Sequence, residues 1–263
     1  MTGTVRVEAV GTTTVVTIDR PDVRNAVDGP TALALHDAFS AFDADDDQAV
    51  AILTGAGGTF CAGADLKAVS TGAGNRVEAM TAGAPDPEAL GPMGPTRLRL
   101  TKPVIAAVEG HAVAGGLELA LWCDLRVAAR DAIFGVYCRR WGVPLIDGGT
   151  VRLPRLIGQS RAMDMILSGR PVDGPEAEAW GLANRLTGPG GALDGALALA
   201  EQLAAFPQRC LRSDRTSVLD QWSLPEWDAL ATETDLGLAT IRSGETQEGA
   251  SRFAAGEGRH GTF

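Results

Sequence analysis

The stretch KPVIAAVEGHAVAGGLELALWCDLRVAA, residues 102 to 129, limits more than any other what this chain can fold into. PVIAAVEG is a short apolar run rich in β-branched residues and bounded by Pro103 and Gly110, which fits a buried strand. In the segment that follows, Leu117, Leu119, Ala120, Leu121 and Trp122 surround Glu118, and a helix that is apolar all round is a buried one. LRVAARDAIFG then reads as a further strand entering a turn. The pattern also stands upstream. VVTIDRP (15–21) is a strand leaving for a loop, Asp28 opens a helix in which Leu35, Phe39 and Phe42 keep helical spacing, and AVAILTG (49–55) is another short buried strand. Strands alternating with helices at this spacing predict an α/β core with parallel pairing.

Elsewhere the chain changes character. Residues 70–100 are dense in Gly, Pro and Ala with weak periodicity, and are expected to form a mobile connection, a lid ending in a short helix. From about Ser160 only helices are expected. SRAMDMILSG would be capped by Ser160 and stopped at Gly169, and Leu193, Ala196, Leu197, Ala200 and Leu203 carry a later helical stripe. The division expected is therefore a core over residues 1–190 and a helical region over 191–263.

Composition bounds the function. Hydrophobic residues at 45% and charged residues at 21% let 263 residues bury a core without staples. Cys61, Cys123, Cys138 and Cys210 show no CxxC pairing, so neither a disulfide framework nor a metal site is expected, and reduced thiols in a cytoplasm are the default. The N-terminus has no basic segment ahead of an apolar run, and no stretch approaches the roughly 20 apolar residues that span a bilayer. A net charge of -10 argues against a nucleic-acid partner. The two lysines, Lys67 and Lys102, are expected as solvated surface charges, and His36, His111 and His260 stand apart from any nucleophile.

GAGGTFCAGADL (55–66) follows a strand but fails as a dinucleotide fingerprint, because Phe60 stands where the third glycine belongs. There is no phosphate-binding GxxxxGK[ST], no HExxH and no GxSxG. CAGADL and AGGLE each place small residues just before a helix, so two sets of main-chain N–H groups could converge on an anionic oxygen. The alternative is a pair of glycine turns that let helix and sheet pack closely. Glu118, at the head of its apolar helix, would feel desolvation that raises its pKa and a helix N-terminus that lowers it, a setting suited to proton transfer. A buried ion pair with Arg126 or Arg152 is the alternative there.

FCAGADLK (60–67), KPVIAAVEGHAVAGGLELALWCDLRVAA (102–129) and IFGVYCRRWGVPLIDGGTVRLPRLIG (133–158) together resemble the crotonase, or enoyl-CoA hydratase/isomerase, superfamily, nearly end to end. The resemblance implies an α/β fold, a spiral of ββα units with a C-terminal helical trimerisation region, in a homotrimer or dimer of trimers. It implies an acyl-CoA thioester as substrate and partner, with no separate cofactor. The N–H groups of Ala64 and Gly115 would hold the thioester oxygen, and Glu118 matches the first of two catalytic glutamates. The loop around Arg24, Asn25 and Ala26, the residues Ala62, Asp65, Leu66 and Lys67 and, from a neighbouring subunit, Phe253 match regions that contact coenzyme A. The second glutamate is missing, with Cys138 in its place. Asp147 is either catalytic or the cap of a helix starting near Gly148, and Tyr137, Arg139 and Arg140 are further candidates. Hydration of a 2-enoyl-CoA to a 3-hydroxyacyl-CoA is the first reading, because Glu118 and both N–H positions are kept; isomerisation or other enolate chemistry is the second, because of Cys138, and a non-catalytic coenzyme A-binding or assembly role is the third.

Overall fold

The computed structural model describes residues 3–84 and 86–258; His260 lies outside them. The chain forms two compact units, Met1–Glu201 and Gln202–Phe263. The first contains strands β1 (Val5–Val10), β2 (Thr13–Ile18), β3 (Val50–Gly55), β4 (Val104–Val108), β5 (His111–Val113), β6 (Leu125–Ala129), β7 (Ile133–Gly135), β8 (Pro171–Asp173) and β9 (Arg185–Thr187). Its helices are α1 (Gly29–Ala44), α2 (Leu66–Ser70), α3 (Gly115–Trp122), α4 (Gly149–Ile157), α5 (Gln159–Ser168) and α6 (Gly174–Trp180). Helix α7 (Ala192–Ala205) runs across the division, and α8 (Gln208–Asp220), α9 (Glu226–Arg242) and α10 (Glu245–Ala255) make up the second unit.

Two sheets share the spiral. The larger has the order β1-β2-β3-β4-β6-β9, parallel throughout except for β1 on β2. The smaller has the order β5-β7-β8. Each turn of chain gives a strand to the larger sheet and the next strand to the smaller: β4 then β5, β6 then β7. A parallel bridge from Cys61 to Ala112 extends the second layer back to the turn after β3. Strands β3 and β4 are buried almost throughout, which is why AILT and VIAAV read as continuous apolar runs rather than as alternation. Leu35, Phe39 and Phe42 of α1 pack into the same core, with the Phe39 ring edge-on to Trp122 at 4.9 Å.

The expected helix start at Asp28 is present: its carboxylate accepts from the Thr31 N–H at 3.0 Å. Other expectations give way. Ser160 does not cap α5, whose N-cap is Gly158, although Gly169 does stop it with φ 62°. The chain beyond Ser160 is not helical only, because β8 and β9 return to the two sheets as three-residue strands. Lys102 is no surface charge. It is 1% exposed, and its ammonium donates to the carbonyls of Phe42 at 3.0 Å and Asp45 at 2.6 Å, closing the C-terminal end of α1. Lys67 is exposed as expected. The short helix at the end of residues 70–100 is a 3-10 turn, Pro95–Arg97. Among the described residues no helix is long and apolar enough to cross a membrane.

Candidate active site

The site begins where two strand-to-helix turns lie side by side. After β3 the chain pairs with β5, Cys61 N–H donating to His111 O at 2.8 Å and Val113 N–H to Cys61 O at 3.1 Å. Gly63 follows at φ 99°, and a Cβ built on it would fall 3.0 Å from the Gly115 nitrogen and 2.9 Å from the Ala114 Cβ. Only glycine fits there, on both conformational and steric grounds. Ala64, the next residue, is thereby brought beside Gly115. Ala114 is held at φ 54° and ψ -125°, a strained setting for a residue with a side chain, at the N-cap of α3. No side chain caps α3, and among the described residues neither the Ala64 nor the Gly115 N–H makes a hydrogen bond. Unpaired main-chain donors are the kind of group that holds an oxygen on which negative charge develops.

The helix starts are not alike. At α2 the anion position is filled from within, since Asp65 accepts from Lys67 N–H at 3.1 Å and Ala68 N–H at 3.3 Å and pairs with Arg20 at 3.1 Å. Ahead of that cap the Ala62 and Gly63 N–H groups are also engaged, by Arg24 O and Cys61 Sγ, which leaves the Ala64 N–H.

Glu118 lies one helical turn beyond Gly115, 2% exposed. Its Oε1 accepts from Asp147 N–H at 2.9 Å and Gly149 N–H at 2.8 Å, both where the chain enters α4. Its Oε2 accepts no hydrogen bond from the described residues. The ion-pair alternative is overturned. Arg126 is spent on the carbonyls of Leu182, Ala120, Cys123 and Asp124, and Arg152 on the carbonyls of Asp147 at 2.8 Å and Thr96 at 2.7 Å. Burial pushes the Glu118 carboxyl up to about 7; the Gly149 and Asp147 N–H groups pull the other way and the Asp147 charge adds to the rise. A carboxyl balanced there both takes and gives protons at neutral pH.

Cys138 is buried beside Glu118, and burial together with that carboxylate raises its thiol pKa. Asp147 is 4% exposed and does not cap α4, whose N-cap is Gly148. Its Oδ1 instead accepts from Met93 N–H at 3.0 Å and from the Thr96 hydroxyl. Arg139 and Arg140 are tied to the end of α5 through the carbonyls of Ile166 and Gly169, and Arg140 stacks on Tyr137 at 4.3 Å.

Those residues matched to a coenzyme A site that belong to the first unit fall in one neighbourhood. Ala62 N–H donates to Arg24 O at 3.0 Å and Asp65 N–H to Val27 O at 2.9 Å, so the loop holding Arg24 and Ala26 runs along Ala62–Asp65. Arg24, Leu66 and Lys67 are exposed, whereas Ala26 is buried. Phe253, 62% exposed on α10, belongs to the second unit. Sequence reasoning missed what shapes this loop. Buried Asn25, at φ 56°, accepts from Arg20 N–H and donates to the carbonyls of Ala56 and Thr59; asparagine after an arginine-proline loop start was the only signal. It also missed Met93 and Thr96, which sit in the segment of weakest pattern.

Comparison with known proteins shows the family and the fold. The family model described as enoyl-CoA hydratase/isomerase matches residues 8–260. The chain is 37% identical over 257 residues to the enoyl-CoA hydratase EchA19 of Mycobacterium tuberculosis, covering 94% of this chain and 92% of that one. It is 41% identical over 193 residues to a carnitinyl-CoA dehydratase of Salmonella arizonae, covering 72% and 69%. The crystal structure of the enoyl-CoA hydratase EchA1 from Mycobacterium marinum superposes with a TM-score of 0.87 at 38% identity, covering 96% of both chains. The chain belongs to the enoyl-CoA hydratase/isomerase family of the crotonase superfamily, and it is an enzyme of that family.

Proposed function

We propose that this enzyme adds water across the C2–C3 double bond of a 2-enoyl-CoA thioester, and catalyses the reverse elimination, with Glu118 as its acid/base. The observation that carries this reading is the unpartnered Oε2 of Glu118 one helical turn from the unpaired Gly115 N–H, itself beside Gly63–Ala64. The N–H groups of Ala64 and Gly115 hold the thioester oxygen as the double-bond electrons move onto it, and each such donor is commonly worth about 3 to 4 kcal/mol. Glu118 takes a proton from water, the water oxygen bonds to C3, and the same carboxyl returns the proton to C2. Glu118 ends ionised and the substrate has gained one water. A single carboxyl completes this cycle, which answers the loss of the second glutamate at Cys138. Arg24, Ala26, Ala62, Leu66 and Lys67 border the coenzyme A end; the Asp65 carboxylate serves the loop itself. The carnitinyl-CoA dehydratase relative is named for the reverse reaction.

Isomerisation is the second reading, favoured by the neutral thiol of Cys138 where a second carboxylate would help bind the attacking water. Loss of the conjugated thioester absorbance from a 2-enoyl-CoA, read beside product mass, separates the two. Hydration predicts a product heavier by one water. An isomer of unchanged mass, or binding with no product, rejects it.

A further inference from the structure

Asp147 joins three parts of the site that are far apart in sequence. Its main-chain N–H holds Glu118 Oε1, its carboxylate holds Met93 N–H and the Thr96 hydroxyl, and its carbonyl takes Arg152, whose other arm takes Thr96 O. Met93, 1% exposed, lies against Gly115: a Cβ on that glycine would fall 2.6 Å from the Met93 sulfur. The 91–94 turn is closed by reciprocal main-chain hydrogen bonds between Gly91 and Gly94, each 2.8 Å, so anchoring Met93 and Thr96 anchors the whole turn. A buried carboxylate, costly to desolvate, is thus spent on a loop with little regular structure.

We propose that Asp147 is a positioning residue: it clasps the 91–97 segment over Gly115 while its charge and its main-chain N–H set the state of Glu118. This rests on the reading of Glu118 as the acid/base given above. The clasp keeps the Met93 side chain packed on the α3 N-terminus, so the Gly115 N–H keeps its aim, and it leaves Glu118 with one engaged oxygen and one working oxygen. The charged and titratable groups facing Asp147 are Arg97 from the 3-10 turn, Arg152 from α4 and Glu118 from α3; those facing Glu118 are Asp147, Arg152 and Cys138. The Asp147 charge raises the Glu118 pKa. Glu118 must be ionised to accept the proton of water, so kcat/KM falls as pH drops through its pKa, and removing the Asp147 charge moves that fall to lower pH.

The test compares D147N, D147A and T96V by thermal unfolding and by pH profiles of 2-enoyl-CoA turnover. Asparagine keeps an acceptor for Met93 and Thr96 but not the charge. D147N is expected to keep turnover within about tenfold of wild type with its acid limb shifted down by half a pH unit or more, roughly the effect of one nearby charge. D147A is expected to lose at least tenfold more in kcat than D147N. T96V, folded and with the charge intact, is expected to lose kcat with the acid limb unmoved. A D147N enzyme as inactive as E118Q would make Asp147 a direct proton carrier and overturn the proposal, as would an unshifted acid limb in D147N or wild-type rates in T96V. Wild type without turnover would instead reject the reading of the site.

Discussion

Glu118 is held at a cost to stability, and the sign of that cost can be worked out. Its folded pKa of about 7 lies above its ordinary 4.5, so the folded chain binds this proton more tightly than the unfolded chain. The stability it confers is fully present below pH 4.5 and is lost as pH rises through 7. Above that, the ionised carboxylate costs about 3 kcal/mol relative to a group with no shift. Glutamine can still accept from the Asp147 and Gly149 N–H groups and never ionises. E118Q is therefore expected to lose roughly 10²- to 10⁴-fold in turnover while gaining stability, and its advantage over wild type in denaturant unfolding should be larger at pH 8 than at pH 5 by about 2 kcal/mol. An advantage that is equal at both pH values would show that burial does not penalise this carboxylate. The residue was legible from sequence because burying a lone carboxylate in an apolar helix destabilises a chain that makes no use of it. Its partners were not, because main-chain N–H groups leave no mark in a sequence, and the arginines that looked like partners are spent on carbonyls.

Among the elements, α3 to α5 and α8 to α10 differ in what they bury. Helix α3 is almost wholly inside, whereas α8 and α10 have no buried residue and α9 has Thr240 alone. Val218, Trp222, Trp227, Leu230, Ile241 and Phe253 are 42% to 82% exposed on or next to those last helices. Helices of this length with so little buried area are marginal unless something covers them. A second copy of this chain is the cover the family resemblance implies. Sedimentation equilibrium should give three or six chain masses, and W227E, which places a charge where the most exposed of the large apolar side chains among the described residues stands, should lower that mass. A monomer at micromolar concentration would show that no second copy covers these apolar faces. Elements with a strong period or a cap were legible: β2, β3, β4, α1 and α3 lie where pattern placed them. The short strands β5, β8 and β9 have three residues each, too few to show a period, and each is held by its pairing with a strand distant in sequence. The edge strand β1 shows alternation in VRVEAV that sequence reasoning passed over.

Taken whole, the molecule uses its spiral to bring three stretches separated by dozens of residues to one place: the turn at Gly63–Ala64, the head of α3, and the entry to α4. The family and fold were legible because the residues that make this crossing possible, small ones at the turns and an apolar helix behind them, have few substitutes. The 91–97 clasp was not, since its hydrogen bonds join side chains and main chain over more than 50 positions of sequence. In the proposed reaction Glu118 hands a solvent-derived proton to the carbon next to a thioester held by the Ala64 and Gly115 amides. The most direct measurement runs the 2-enoyl-CoA reaction in heavy water and locates deuterium in the product by mass spectrometry and NMR. One deuterium bound at C2 is expected with wild type, and none above the uncatalysed background with E118Q that still binds the acyl-CoA. A product without carbon-bound deuterium at C2, or the same label at the same rate from E118Q, would contradict the proposed reaction.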